Sequence, residues 1–134
     1  MFTALDHVGI ATASLEQGLA LYQGVFGLEV LLRETLAEQG LEVLAFRSGD
    51  QAVELLCPTR PDCAVGKFLA DRGPGIHHVA YRVPDIRAAL QAARDGGLEL
   101  VDAEPRTGAG GHLVAFLHPR STGKVLIELV ERHW

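Results

Sequence analysis

Two histidines and two glutamates are the residues whose types and settings point to a shared chemical task. His7 lies in Leu5-Asp6-His7-Val8-Gly9-Ile10, and His78 in Ile76-His77-His78-Val79-Ala80-Tyr81. Glu54 lies in Val53-Glu54-Leu55-Leu56, and Glu128 in Ile127-Glu128-Leu129-Val130. A carboxylate among such apolar neighbours is costly to bury unless something pairs it. A divalent cation held by two imidazoles and two carboxylates supplies that pairing, and such a donor set suits Co, Mn, Ni, Zn or Mg. No cysteine joins the set, which separates it from a closed structural zinc site. A plainer reading stands beside this one. Strands alternate, so Glu54 and Glu128 can face solvent on a half-buried sheet, and His7 can be a hydrogen-bonded structural histidine. Two coincident His–Glu pairs favour the metal.

The remaining candidates read as supporting residues. His77 has the opposite strand parity to its neighbour His78, so it does not readily reach the same ion. His118 precedes a turn and reads as a loop-positioning residue, while His112 and His133 read as exposed. Cys57 and Cys63 form neither a CxxC pair nor a disulfide framework and read as ordinary thiols.

These residues need elements to hold them, and the chain supplies the elements twice. With His7 set on His78, Val8 meets Val79, Ile10 meets Tyr81, Ser14 meets Asp85, Leu15 meets Ile86 and Leu19 meets Leu90. Gly27-Leu28-Glu29-Val30 then meets Gly97-Leu98-Glu99-Leu100 after a slip of one residue, and the segment around Glu54 meets the one around Glu128. Collinear matches of this kind indicate an internal duplication. Each copy reads as βαβββ. In the first, Asp6 to Ala11 is a strand, Ser14 and Gln17 make a capping box, and Leu15, Leu19, Tyr22 and Phe26 form one buried helical face that stops at Gly27. Strands follow at about 28–36, 40–48 and 51–57. In the second, Asp85 is the N-cap and Ile86, Ala89, Leu90 and Ala93 form the buried stripe, with strands at about 98–104, 112–118 and 124–131. Val65, Phe68 and Leu69 suggest a short helix in the connection.

The expected architecture is therefore α+β. Two tandem βαβββ modules, about 1–57 and about 75–134 with a linker at about 58–74, form a cupped mixed and antiparallel sheet around a metal-binding cleft, all within one domain over 1–134. Facing related sheets bring matching positions together about a pseudo-twofold axis, which is how His7, Glu54, His78 and Glu128 come to share an ion.

Composition limits the function classes. The chain has 134 residues, 48% hydrophobic and 22% charged, an ordinary globular balance. Twelve Lys+Arg against 17 Asp+Glu give a net charge of −5, which argues against a nucleic-acid binder. No apolar run approaches a membrane-spanning length, the first residues lack the pattern of a signal peptide, and two scattered thiols fit a cytoplasmic protein.

The paired modules, with Leu5-Asp6-His7-Val8-Gly9-Ile10-Ala11, Gly75-Ile76-His77-His78-Val79-Ala80, Glu104-Pro105-Arg106 and Phe116-Leu117-His118-Pro119-Arg120-Ser121-Thr122-Gly123 running into Val125-Leu126-Ile127-Glu128-Leu129, resemble the vicinal oxygen chelate superfamily (the glyoxalase/bleomycin resistance/dioxygenase group). The closest resemblance within it is to the methylmalonyl-CoA epimerase family. It implies an isomerase that interconverts the C2 epimers of a CoA thioester by deprotonation and reprotonation through a metal-stabilised enolate. It also implies the partners of such an enzyme: a small CoA thioester, no nucleic acid, no membrane, and a second copy in a homodimer.

Residue by residue, the resemblance places the metal on His7, Glu54, His78 and Glu128, with Glu128 also a proton-transferring base. Some family members have Gln where this chain has Glu54, and Glu54 equally fits glyoxalase I. The second base falls on the strand after Gln39-Gly40. Glu42 is the nearest acid and is the candidate, although an ungapped register puts Val43 at the position in question. The backbone of Ser121, Thr122 and Gly123 is a candidate nest for the substrate carboxylate. Arg60, Lys67, Arg72, Arg106, Arg120 and Lys124 are candidate cations for CoA phosphates. Two alternatives stand: a glyoxalase I-like lyase acting on a glutathione hemithioacetal, and a metal-free small-ligand binding protein of the same fold.

Overall fold

β1 (Ala4–Ala11) opens the chain, and its apolar residues and buried His7, Gly9 and Ala11 mark a strand with an occluded face. The computed structural model describes residues 1–133. It contains two compact units, His7–His77 and a second formed by Met1–Asp6 with the chain from His78 onward, so β1 contributes to both.

In the unit His7–His77, β2 (Val30–Leu36), β3 (Leu41–Ser48) and β4 (Gln51–Pro58) form an antiparallel meander, and β1 runs parallel to β4. Leu15 packs on Leu44, Phe46 and Leu55, with Ile10, Leu19 and Tyr22 at the margin. Burying each large side chain here contributes about 1.5–3 kcal/mol. The helix begins as expected: the Ser14 hydroxyl accepts the Gln17 N–H at 3.2 Å, and α1 spans Leu15–Leu19. It then widens into a π-helical stretch, Ala20–Val25, where the Phe26 N–H reaches the Leu21 carbonyl at 2.9 Å. The extra residue per turn rotates the stripe. Tyr22 still stacks on Phe46 at 5.4 Å, but Phe26 is 59% exposed, so the expected buried face ends one turn early. Gly18 brings the helix close to the sheet, because a Cβ there would collide with Leu55.

The expected linker helix is α2 (Ala64–Arg72). Its cap is the Cys63 thiol, which accepts the Gly66 N–H at 3.4 Å and donates to the Arg60 carbonyl at 3.3 Å.

In the second unit, β5 (Gly75–Arg82) reaches from the linker, β8 (Ile127–Glu131) runs parallel to it, and β7 (Leu113–Leu117) and β6 (Arg106–Thr107) continue antiparallel. α3 (Ile86–Asp95) buries Ile86, Ala89, Leu90 and Ala93 against Val83, Ala115, Leu117 and Leu129, the expected stripe. Asp85 accepts the Ala88 N–H at 3.1 Å, and Glu131 accepts the Ile86 N–H at 3.0 Å. The expected strand at 98–104 is not regular. Leu100 makes one isolated bridge to Leu117, and the Asp102 carboxylate takes the Phe116 N–H at 2.8 Å where a strand would offer a carbonyl. The last strand begins at Ile127 rather than 124, because Gly123 and Lys124 are both in the left-handed region (φ +67° and +69°). The α+β reading with two tandem modules holds in the described residues.

Candidate functional site

The unit His7–His77 places its histidine and glutamate on one sheet face. In the parallel β1/β4 register His7 sits opposite Ala52 and Gly9 opposite Glu54, so all four point the same way. His7 Nδ1 lies 3.3 Å from a Glu54 carboxylate oxygen, and His7 is only 3% exposed. The second unit repeats this relation. Ala80 sits opposite Glu128 in the parallel β5/β8 register, and His78 stands two residues before Ala80, as His7 stands two before Gly9. His78 Nε2 lies 3.9 Å from a Glu128 oxygen, with the two residues 4% and 7% exposed. The duplication read from the sequence therefore extends to a buried imidazole beside a carboxylate in each unit, through Nδ1 in the first pair and Nε2 in the second.

The donor chemistry fits a divalent cation. Ligands about 2.0–2.2 Å from a common ion stand roughly 3–4 Å from each other, the spacing within each pair. The 3.9 Å separation in the second pair is beyond hydrogen-bond length and within the spacing of two ligands of one ion. Phe116, opposite Glu128 on β7, sets its ring edge-on against His78 at 5.2 Å and walls that imidazole from water. The Arg106 guanidinium lies over the same ring at 5.6 Å and pairs with Asp102 at 3.5 Å. The sequence reading missed Phe116, although the alternation of Leu113 to Leu117 puts it on the Glu128 face.

The candidate second base, Glu42, lies on the opposite face of the sheet from Glu54. In the β3/β4 register Glu54 sits opposite Ala45, and Glu42 opposite Cys57. Glu42 therefore projects from the face that carries Leu44 and Phe46, away from Glu54, and it accepts from Arg33 Nε at 2.9 Å. Val43, 1% exposed, is the β3 residue on the Glu54 side. Cys57 shares the Glu42 side, where burial first and then the Glu42 charge raise its thiol pKa, in keeping with an unreactive thiol.

The turn holding Ser121, Thr122 and Gly123 uses much of its own hydrogen-bonding capacity. The Ser121 and Thr122 N–H groups donate to the His118 and Pro119 carbonyls at 3.1 and 3.3 Å. Two of the three N–H groups of the expected nest are thus already used within the turn. His118 is the loop-positioning residue it was read to be, its Nδ1 accepting the Arg120 N–H at 3.0 Å. His77 sets its ring against Phe68 at 5.1 Å. His112, expected on the surface, is buried, and its Nδ1 accepts the His133 N–H at 3.2 Å. Of the candidate cations, Arg60 holds the Ala37 and Glu38 carbonyls and Arg120 pairs with Glu99, so both are committed within the fold.

The chain is similar to several known proteins. The family model described as Glyoxalase/Bleomycin resistance protein/Dioxygenase superfamily matches residues 6–116. An uncharacterized protein of Bacillus subtilis is 41% identical over 95% of this chain and 91% of its own. An ethylmalonyl-CoA/methylmalonyl-CoA epimerase of Cereibacter sphaeroides is 35% identical over 96% of this chain and 98% of its own. A solved structure of a variant Streptomyces coelicolor methylmalonyl-CoA epimerase in complex with 2-nitronate-propionyl-CoA is 37% identical, covers all of both chains and superposes with a TM-score of 0.95. With the family model matching most of its length and these relatives aligned over nearly all of it, the chain belongs to the glyoxalase/bleomycin resistance protein/dioxygenase superfamily.

Proposed function

We propose that this protein epimerises methylmalonyl-CoA at C2, acting as one domain that holds a divalent cation between His7, Glu54, His78 and Glu128. The observation that carries the reading is the repeated geometry, a buried imidazole beside a carboxylate in each unit. Full-length similarity to named epimerases supports the substrate.

A cation bound there would supply Lewis-acid chemistry that acidifies the α-proton of the substrate. His7 and His78, fixed by burial, present nitrogen to it, and Glu54 adds charge. Glu128 removes or returns the α-proton on one side of C2. Phe116 excludes water beside His78, and the turn at Ser121, Thr122 and Gly123 receives the substrate carboxylate through the Gly123 N–H.

We further propose a cytoplasmic homodimer. Val25 and Phe26, 74% and 59% exposed, are apolar surface that a second copy would cover, and β2 and β6 are edge strands. A monomeric mass by sedimentation from micromolar to millimolar protein would rule the dimer out. The catalytic reading is tested by assaying epimerisation after metal stripping and after restoring Co²⁺ or Mn²⁺. Activity should vanish and return, and loss of neither metal nor activity would overturn it.

A further inference from the structure

Epimerisation needs a proton taken from one side of C2 and one delivered to the other, so Glu128 alone is insufficient. The sheet of the unit His7–His77 carries one further carboxylate on the face of His7 and Glu54. In the β2/β3 register Glu34 sits opposite Val43, and Leu32 opposite Ala45; in β3/β4 Ala45 sits opposite Glu54. Paired residues share a face, so Glu34 projects on the side of His7 and Glu54, opposite to Arg33 and Glu42. Among the described residues of these four strands, Glu34 and Glu54 are the carboxylates on that face. Two strand spacings across and one two-residue step along separate their Cα atoms by about 12 Å. The ground between them is Ala45 and Val43, small or apolar and buried, and Glu34 itself is half-buried.

Resting on the epimerase reading, we infer that Glu34 is the second proton-transferring residue, reaching from β2 over Val43 toward the substrate. In one direction the ionised Glu34 carboxylate takes the α-proton. The C–H bond breaks, an O–H bond forms on Glu34, and the electron pair stays on the substrate. Protonated Glu128 then delivers its proton to the opposite side. The enzyme finishes with Glu34 protonated and Glu128 ionised, and exchange with water or turnover of the other epimer restores it.

The test compares wild type, Glu34→Gln and Glu34→Asp in D₂O with Co²⁺, following α-deuterium incorporation from each epimer separately alongside net epimerisation. Glu34→Gln should lose net epimerisation by about 10² or more, the scale of a general base. It should still exchange the α-proton of the epimer served by Glu128 and lose exchange of the other, with metal stoichiometry unchanged. Glu34→Asp should recover part of the lost exchange. Net epimerisation by Glu34→Gln within a few-fold of wild type would overturn the assignment while leaving the epimerase reading intact. Equal loss of exchange from both epimers, or loss of metal binding, would also overturn it by showing a structural role. A wild-type enzyme that neither epimerises nor exchanges would overturn the epimerase reading, and this assignment with it.

Discussion

Glu42 and Glu54 stand on adjacent strands of one sheet and project from opposite faces of it, because Glu42 is paired with Cys57 while Glu54 is paired with Ala45. The Glu42 side is closed by the helix and by Arg33, which reaches both Glu42 and Glu16. Glu54 shares its side with His7. Glu42→Gln should therefore keep wild-type epimerisation and metal affinity, and steady-state kinetics with a metal titration would check this. Glu54→Gln keeps an oxygen donor, so it should stay active with altered metal affinity, measured by calorimetry.

Glu128→Gln separates ligand from base. The amide oxygen can still face an ion, but it accepts no proton at neutral pH. Metal should bind stoichiometrically while epimerisation falls by about 10² or more. Wild-type rates with metal bound would remove Glu128 from the proton-transfer role.

Acid stability should report on two interactions in the second unit. Burial, then the charge of Arg132, lowers the His112 pKa below 6.5. The unfolded chain consequently binds a proton there more readily, so stability is full above about pH 6.5 and falls as the pH drops below it. The Ile86 N–H, then His133, lowers the Glu131 carboxyl below 4.5, so its contribution is present above that pH and is lost as the pH falls further. Thermal melts from pH 4 to pH 8 should show a His112→Asn variant with a flatter slope below about pH 6.5. Glu131→Ala should also lose about 0.5–2 kcal/mol at neutral pH, because it removes an acceptor at the α3 N-terminus.

Cys57 should be slow toward alkylating reagents at neutral pH, since burial and Glu42 disfavour its thiolate. Reaction with iodoacetamide, followed by mass spectrometry, should quicken in Glu42→Gln.

Much of this was legible in the residues alone. The internal repeat, the Ser14 and Asp85 caps, the α3 stripe and both His–Glu pairs follow from spacing, because each rests on local periodicity or on the duplication. What local pattern could not carry was register. Whether Glu42, Val43 or Glu34 faces His7 depends on which residues of β2, β3 and β4 lie opposite one another, and a shift by one residue reverses every side chain. The π-helical widening after Leu19 and the replacement of a strand near Asp102 by a side-chain acceptor escaped for a related reason: both depend on tertiary packing. The burial of His112 also escaped local pattern, since its partner, the His133 N–H, is 21 residues away in the chain.

The most direct test of the account is α-proton exchange of methylmalonyl-CoA in D₂O by wild type, His7→Ala and His78→Ala, each assayed metal-stripped and again with Co²⁺ or Mn²⁺. The account predicts deuterium incorporation by the metal-loaded wild type, none after chelation, and loss of both exchange and stoichiometric metal binding in either histidine variant. Exchange at the loaded rate by the stripped wild type, or full metal occupancy in both variants, would contradict it.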